Sequence, residues 1–309
     1  MKQFLKSTLL FLLPLMVFGA SAEFLLRHIP NDYELKNNYL TMHGKEITIL
    51  FLGSSHAFYG VNPAYVKEKS FNAAYVSQSL DLDEKILEKH SGDLTNLKLI
   101  AIPISYFSLF SSLKDNEESW RLKNYEIYYG IRTGDLSNHF EIFSKFEQNM
   151  YKLYLYLIKK NSFISSSNLG WGIYKKPEHK IDFLMAGIEA AKRHSGMDNE
   201  HLAKNKAILE HMISFAKQRH IQILFYTPPA YITYIEHLNA KQLNQTTHLM
   251  VDLAAHCHNV TYVNLLKDNS FQFSDFHDAD HLNTLGAKKL SIELDALIHH
   301  IHLTANNLN

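Results

Sequence analysis

Short apolar runs alternate with longer stretches of helical spacing along most of the chain. Glu46-Ile47-Thr48-Ile49-Leu50-Phe51-Leu52 is apolar and β-branched, stops at Gly53, and reads as a buried strand. Asn62 before Pro63 joins an N-cap to a residue preset for the first helical position, so loop 53–61 should lead into a helix. Phe71 to Tyr75 is a weaker second strand, and a helix should follow from about Leu80 to Lys89. Leu97 to Ile102 is a third strand, closed by Pro103. Asn199 to His220 predicts a helix with Leu202, Leu209, Met212, Ile213 and Ala216 on one face. Ile221 to Tyr226 is a fourth strand ended by Pro228-Pro229, residues 239–258 look helical, and Val260 to Leu265 is a fifth strand. Thr284 to Ile301 is a last helix, with Leu290, Leu294, Leu297 and Ile301 at +4, +3, +4 spacing. The alternation predicts a three-layer α/β/α sandwich around a mostly parallel five-stranded sheet. Functional groups are then expected at the carboxyl ends of the strands.

Two regions break this rhythm. Residues 106–196 carry many aromatics at loose helical spacing, among them Tyr125, Tyr128, Phe140, Phe143, Tyr151 and Tyr154, and read as a helical insertion. Its Trp120-Arg121 and Tyr125 could meet a sugar ring or simply hold the insertion to the core. Residues 1–26 read as an export segment: Lys2 and Lys6, then apolar sequence from Leu9 to Phe18 interrupted by Pro14, then Ala20-Ser21-Ala22 before Glu23. Phe24-Leu25-Leu26 extends the apolar stretch toward the length of a membrane span, so a cleaved signal peptide and a retained anchor are both open. Either way the basic end stays inside and the body is exported, to the periplasm or to the periplasmic side of the inner membrane. Residues 27–45 are polar and mixed and read as a linker to a domain over 46–302.

Composition narrows the classes. The 309 residues carry 31 Lys+Arg and 31 Asp+Glu, a formal net charge of zero, which disfavours a nucleic-acid binder. Hydrophobic residues at 46% and charged residues at 20% argue against disorder. With one cysteine, Cys257, no intrachain disulfide and no Cys₄ zinc site can form. No P-loop and no G-x-G-x-x-G occur, and no cofactor is expected.

Two motifs carry candidate chemistry. Gly53-Ser54-Ser55-His56 follows the first strand, where a serine can stand above the sheet beside backbone N–H donors. Asp278-Ala279-Asp280-His281 precedes the last helix, and an Asp three residues before a His can orient its ring. Together they resemble the first and last blocks of the SGNH (GDSL-type) hydrolase superfamily, in outline over 46–302. Leu282-Asn283 and Gly286-Ala287 behind the Asp-His pair strengthen that resemblance. The fuller pattern looks like the envelope-associated branch found beside polysaccharide-modifying enzymes.

The resemblance implies Ser55 as nucleophile, His281 as general base and Asp278 as its orienter. It implies the Ser55 N–H as one oxyanion donor, with Gly53 at the turn and Ser77 or Gln78 in the second block. Where many members carry G-x-N-D, this chain has Pro103-Ile104-Ser105-Tyr106, so Ser105 or Tyr106 would have to stand in for the asparagine. His56 would shape the site or merely fill the turn. His194, before Gly196, would either lie near the pocket or be a surface histidine at a helix end, and the His256-Cys257-His258 run reads as structural.

Three functions follow as expectations. The first is an exported serine esterase or O-acyltransferase on envelope glycans, with an acyl-ester or glycan substrate and a membrane-bound acyltransferase as a candidate partner. The second is a degenerate fold that binds glycan or scaffolds such a complex. The third is a metalloenzyme built on His277, Asp278, Asp280 and His281, with His256 or His258; no metal site is expected under the first.

Overall fold

The computed structural model describes residues 1–174 and 181–306; the stretch 175–180 of the expected insertion lies outside the described residues. The chain divides into two compact units. One comprises residues 1–37 and 117–165, the other residues 38–116 and the described part of 166–309.

The first unit is helical. It begins with α1 (Lys2–Arg27) and the start of α2 (Asp32–His43), within which the unit boundary falls. The expected linker 27–45 is therefore largely a helix. The signal lay in Asn31, whose side-chain oxygen accepts the N–H groups of Tyr33 and Glu34 at 3.0 and 3.1 Å and so caps α2. The part of the insertion in this unit contributes a short turn, α5 (Leu122–Asn124), and a longer helix, α6 (Phe146–Leu157). Tyr125 is fully buried with its ring edge-on to Tyr33, so it serves packing rather than a sugar.

The second unit holds five strands: β1 (Ile49–Phe51), β2 (Ser70–Asn72), β3 (Leu99–Pro103), β4 (Gln222–Thr227) and β5 (Val260–Asn264). They form one sheet in the order β2-β1-β3-β4-β5, and every pair is parallel rather than mostly so. The chain reverses its direction of winding between β1 and β3, the position where open parallel sheets open a crevice.

Alternation along the strands supplies both faces. Ile49, Phe51, Leu99, Ala101, Leu224 and Tyr226 pack with Leu290, Leu294 and Ile298 of the last helix, α11 (Thr284–Asn306). Leu50, Ile100, Ile102, Ile223 and Phe225 point the other way and are equally buried, so that face is covered too. The remaining helices are α3 (Ser55–Gly60), α4 (Leu80–Lys89), α7 (Phe183–His194), α8 (Asn199–Gln218), the turn α9 (Ile232–Ile235) and α10 (Ala240–His256). The helix expected after Pro63 is only a 3₁₀ turn over Pro63–Tyr65, while α3 occupies the expected loop. The segment 106–196 is not one insertion: 166–196, with α7, belongs to the sheet-bearing unit.

Candidate active site

β1 ends at Gly53, whose φ of +114° is a value that L side chains rarely adopt. A Cβ there would lie 2.6 Å from the Pro103 ring, so glycine alone permits β1 and the end of β3 to approach this closely. The Gly53 N–H donates to the Asp83 carboxylate at 2.8 Å, and the Gln78 side-chain amide donates to the same oxygen at 2.6 Å. Burial pushes the Asp83 carboxyl up to about 8, against those two donors. Gly53 and Gln78 thus build the turn, with these donors spent on the Asp83 carboxylate.

Beyond that turn α3 begins at Ser55. The α3 segment is tied to β2 by Asn72, which is fully buried. Its amide donates to the carbonyls of Ala57 at 2.8 Å and Val61 at 2.7 Å. The Ser55 hydroxyl sits 2.8 Å from His281 Nε2. On the other side of that ring, Nδ1–H donates to the two Asp278 oxygens at 3.0 and 3.1 Å. Asp278 also accepts the backbone N–H groups of Asp280 and His281 at 3.1 and 2.8 Å, which locks the loop into one shape. Residues 226 positions apart are thereby joined in one Ser–His–Asp line.

Behind this line lies a second carboxylate. Asp280 is 5% exposed, against 24% for Asp278, and its Oδ1 stands 3.4 Å from His281 Nδ1. Its other oxygen is 3.6 Å from His56 Nε2 and 4.0 Å from His194 Nδ1, too far for hydrogen bonds. Burial alone would depress the His281 ring and raise Asp280. The mutual attraction of the pair, with Asp278 added, outweighs this and holds His281 well above its usual value and Asp280 well below. Burial wins at His56, which is lowered, and at His194, pushed down to about 3. His194, for which sequence left a place near the pocket or on the surface open, is a largely buried neutral ring bonded to the Tyr234 hydroxyl at 2.9 Å.

The third-block residues are committed elsewhere. Ser105 places its hydroxyl 2.6 Å from His56 Nδ1 and donates its N–H to Ser108. Tyr106 turns away, its hydroxyl pairing with Ser195 at 3.0 Å and accepting the Asn239 N–H. Neither stands in for the missing asparagine. Ser77 takes φ +60°, the left-handed region that glycine favours. Among the described residues, the backbone N–H groups of Ser55 and Ser77 donate no hydrogen bond.

The wall beside the ring is aromatic: Tyr174 stacks on His277 and on Tyr59, each at 3.8 Å, and lies edge-on to His281 at 6.4 Å. His277 shares no cluster of ligand atoms with Asp278 among the described residues, and His256 instead faces its own helix at the Asp252 carbonyl. His56, Asp280 and His281 do bring one ligand atom each within 4.8 Å of one another. Both nitrogens of His281, however, already serve Ser55 and Asp278.

No family model matches the sequence, and no curated protein does. Solved structures similar to the chain include a protein described as an acylhydrolase from Bacteroides fragilis, with 11% identity, 87% of this chain and 96% of that one covered, and a TM-score of 0.41. A protein from Streptococcus pneumonia described as a platelet activating factor shows 11% identity, coverage of 93% and 98%, and a TM-score of 0.42. A GDSL-like lipase from Bacteroides thetaiotaomicron shows 12% identity, coverage of 88% and 99%, and a TM-score of 0.42.

Proposed function

We propose that the chain is a serine-dependent O-acyl enzyme, an esterase or acyltransferase. The observation that carries this reading is the unbroken Ser55–His281–Asp278 line at the carboxyl edge of the sheet. In this reading Ser55 Oγ attacks the acyl carbonyl and His281 Nε2 takes its proton. The leaving alcohol receives that proton as the carbon–oxygen bond breaks, leaving the acyl group on Ser55. Water or a sugar hydroxyl then attacks, with His281 again accepting and returning a proton. The N–H groups of Ser55 and Ser77 are our candidates for holding the oxyanion. With no asparagine donor, one such contact is lacking, which typically costs about 3 kcal/mol of transition-state stabilisation.

The acceptor is read as an envelope glycan hydroxyl, supported by the family resemblance and by the apolar α1. Export follows the same two supports. A second reading, a degenerate fold that binds glycan or scaffolds an acyltransferase, draws on the commitment of Ser105 and Tyr106 to other partners.

The test is turnover of a chromogenic acetyl ester beside intact-mass labelling by a fluorophosphonate. Both signals should vanish in Ser55→Ala. Labelling without hydrolysis would mark a transferase lacking its acceptor. A folded wild-type protein with neither signal would sink the catalytic reading and leave the second.

A further inference from the structure

α1 is long and apolar enough to cross a membrane, and from Phe4 to Phe18 its large apolar side chains are exposed. Its last turns behave differently. Ala22 and Leu26 are buried, and Leu26 packs with Ile29 and Leu153. Glu23 accepts the N–H groups of Glu141 and Ile142 at 3.2 and 2.9 Å and pairs with Arg27. The Arg27 guanidinium also donates to the His139 carbonyl. Glu23 therefore faces protein, which removes the cost it would carry against lipid.

Helical rise fixes a level. About 20 residues at roughly 1.5 Å each match a hydrocarbon core of about 30 Å. A span that begins near Phe4 therefore emerges near Phe24, level with the segment 139–143 that holds Glu23 and Arg27. That segment runs straight into α6, and here the surface is unusual. Phe143, Phe146, Tyr151 and Ile158 are 63%, 64%, 61% and 67% exposed. α6 buries Asn149 and Leu153 on one face yet shows Tyr151, Tyr154 and Ile158 at +3, +4 spacing on the opposite one. A helix apolar on both faces wants two apolar surroundings. Glu147 shares the outer face and Lys159 and Lys160 follow it, all exposed, which suits headgroup depth rather than the hydrocarbon interior.

We propose that α1 is retained as a membrane span and that the outer face of Phe143–Ile158 lies in the phospholipid interface beside it. The unit of residues 1–37 and 117–165 is then a foot seated in the bilayer surface, independent of any acyl chemistry. The occupant is lipid, because the exposed face continues directly from the point where the span must surface.

The test uses the full chain in phosphatidylglycerol–phosphatidylcholine vesicles. Cys257→Ser supplies a background for single cysteines at Phe143, Tyr151 or Ile158, with Lys241→Cys on α10 as the control. Each is spin-labelled and read for collision with oxygen, which favours lipid, and with a nickel chelate, which favours water. Oxygen-to-nickel accessibility should be several-fold higher at 143, 151 and 158 than at 241. Ratios equal to the control would overturn the proposal. Protection from both reagents would also overturn it, since a protein partner would then cover the face. The mass of the vesicle-bound chain, expressed with active signal peptidase, should include residues 1–22; a chain beginning at Glu23 would remove the span.

Discussion

Asp278 grips the His281 ring with two hydrogen bonds, whereas Asp280 reaches the same nitrogen only at 3.4 Å. The two carboxylates therefore divide position from charge. Losing the gripping carboxylate frees the wrong tautomer, so Asp278→Asn should cut kcat by about 10³- to 10⁴-fold. Asp280→Asn leaves the grip intact and removes one negative charge from behind the ring. His281 must be neutral to accept the Ser55 proton, so the acid limb of kcat/KM sits at its raised value. That limb should move to lower pH in Asp280→Asn, with a smaller loss of kcat at the plateau; an unmoved limb would show that Asp280 only packs. Stability carries the opposite sign for the two partners. A raised His281 stabilises the fold below about pH 6.5 and loses this as pH climbs, while a depressed Asp280 stabilises above about pH 4 and loses this as pH falls. The pair thus contributes most between those two limits. Sequence showed that an Asp–His pair was present but not how its members share the ring, because Asp278 and Asp280 both lie within reach of His281 along the chain. Asn72 escaped for a related reason: its role arises from burial across the sheet edge, which no local spacing reports.

The β1–α3 turn is the element on which Ser55, the proposed nucleophile, depends. Its geometry needs the positive φ of Gly53 and the space between that residue and Pro103. Gly53→Ala should cost at least about 1–3 kcal/mol from backbone strain alone. It should also lower ester turnover more than it lowers stability, since Ser55 is two residues away. Thermal melting beside kcat measures both, and a variant with full activity would show that the turn tolerates a side chain. β1, β3 and β4 were legible because they are buried on both faces and so write nearly continuous apolar runs, whereas β2 (Ser-Phe-Asn) and the half-buried β5 carry a weaker signal. The same logic located α4, α8, α10 and α11 from one-sided stripes. It failed at α3, whose six residues are too few to show a period, and at 27–45, where polar residues hid a capped helix. It also failed to part 117–165 from the flanking 106–116 and 166–196, which belong to the sheet-bearing unit, since nothing in the local spacing marks either boundary.

In the sheet-bearing unit the site is assembled from the turns after β1, β2 and β3, from Tyr174 and the end of α7, and from the loop that precedes α11. None of these carries the chemistry alone. In a urea titration, fluorophosphonate labelling of Ser55 should therefore fall together with the near-UV signal of the sheet-bearing unit. Labelling that outlasts that signal would mean Ser55 is activated without the fold. The long separation of Ser55 from His281 has a biological corollary as well. A nascent chain holds an ordinary serine with an unassisted hydroxyl. On the proposed acyl reading, Ser55 gains its base only once residues 278–281 are made and docked, so the order of synthesis itself would act as a safety catch.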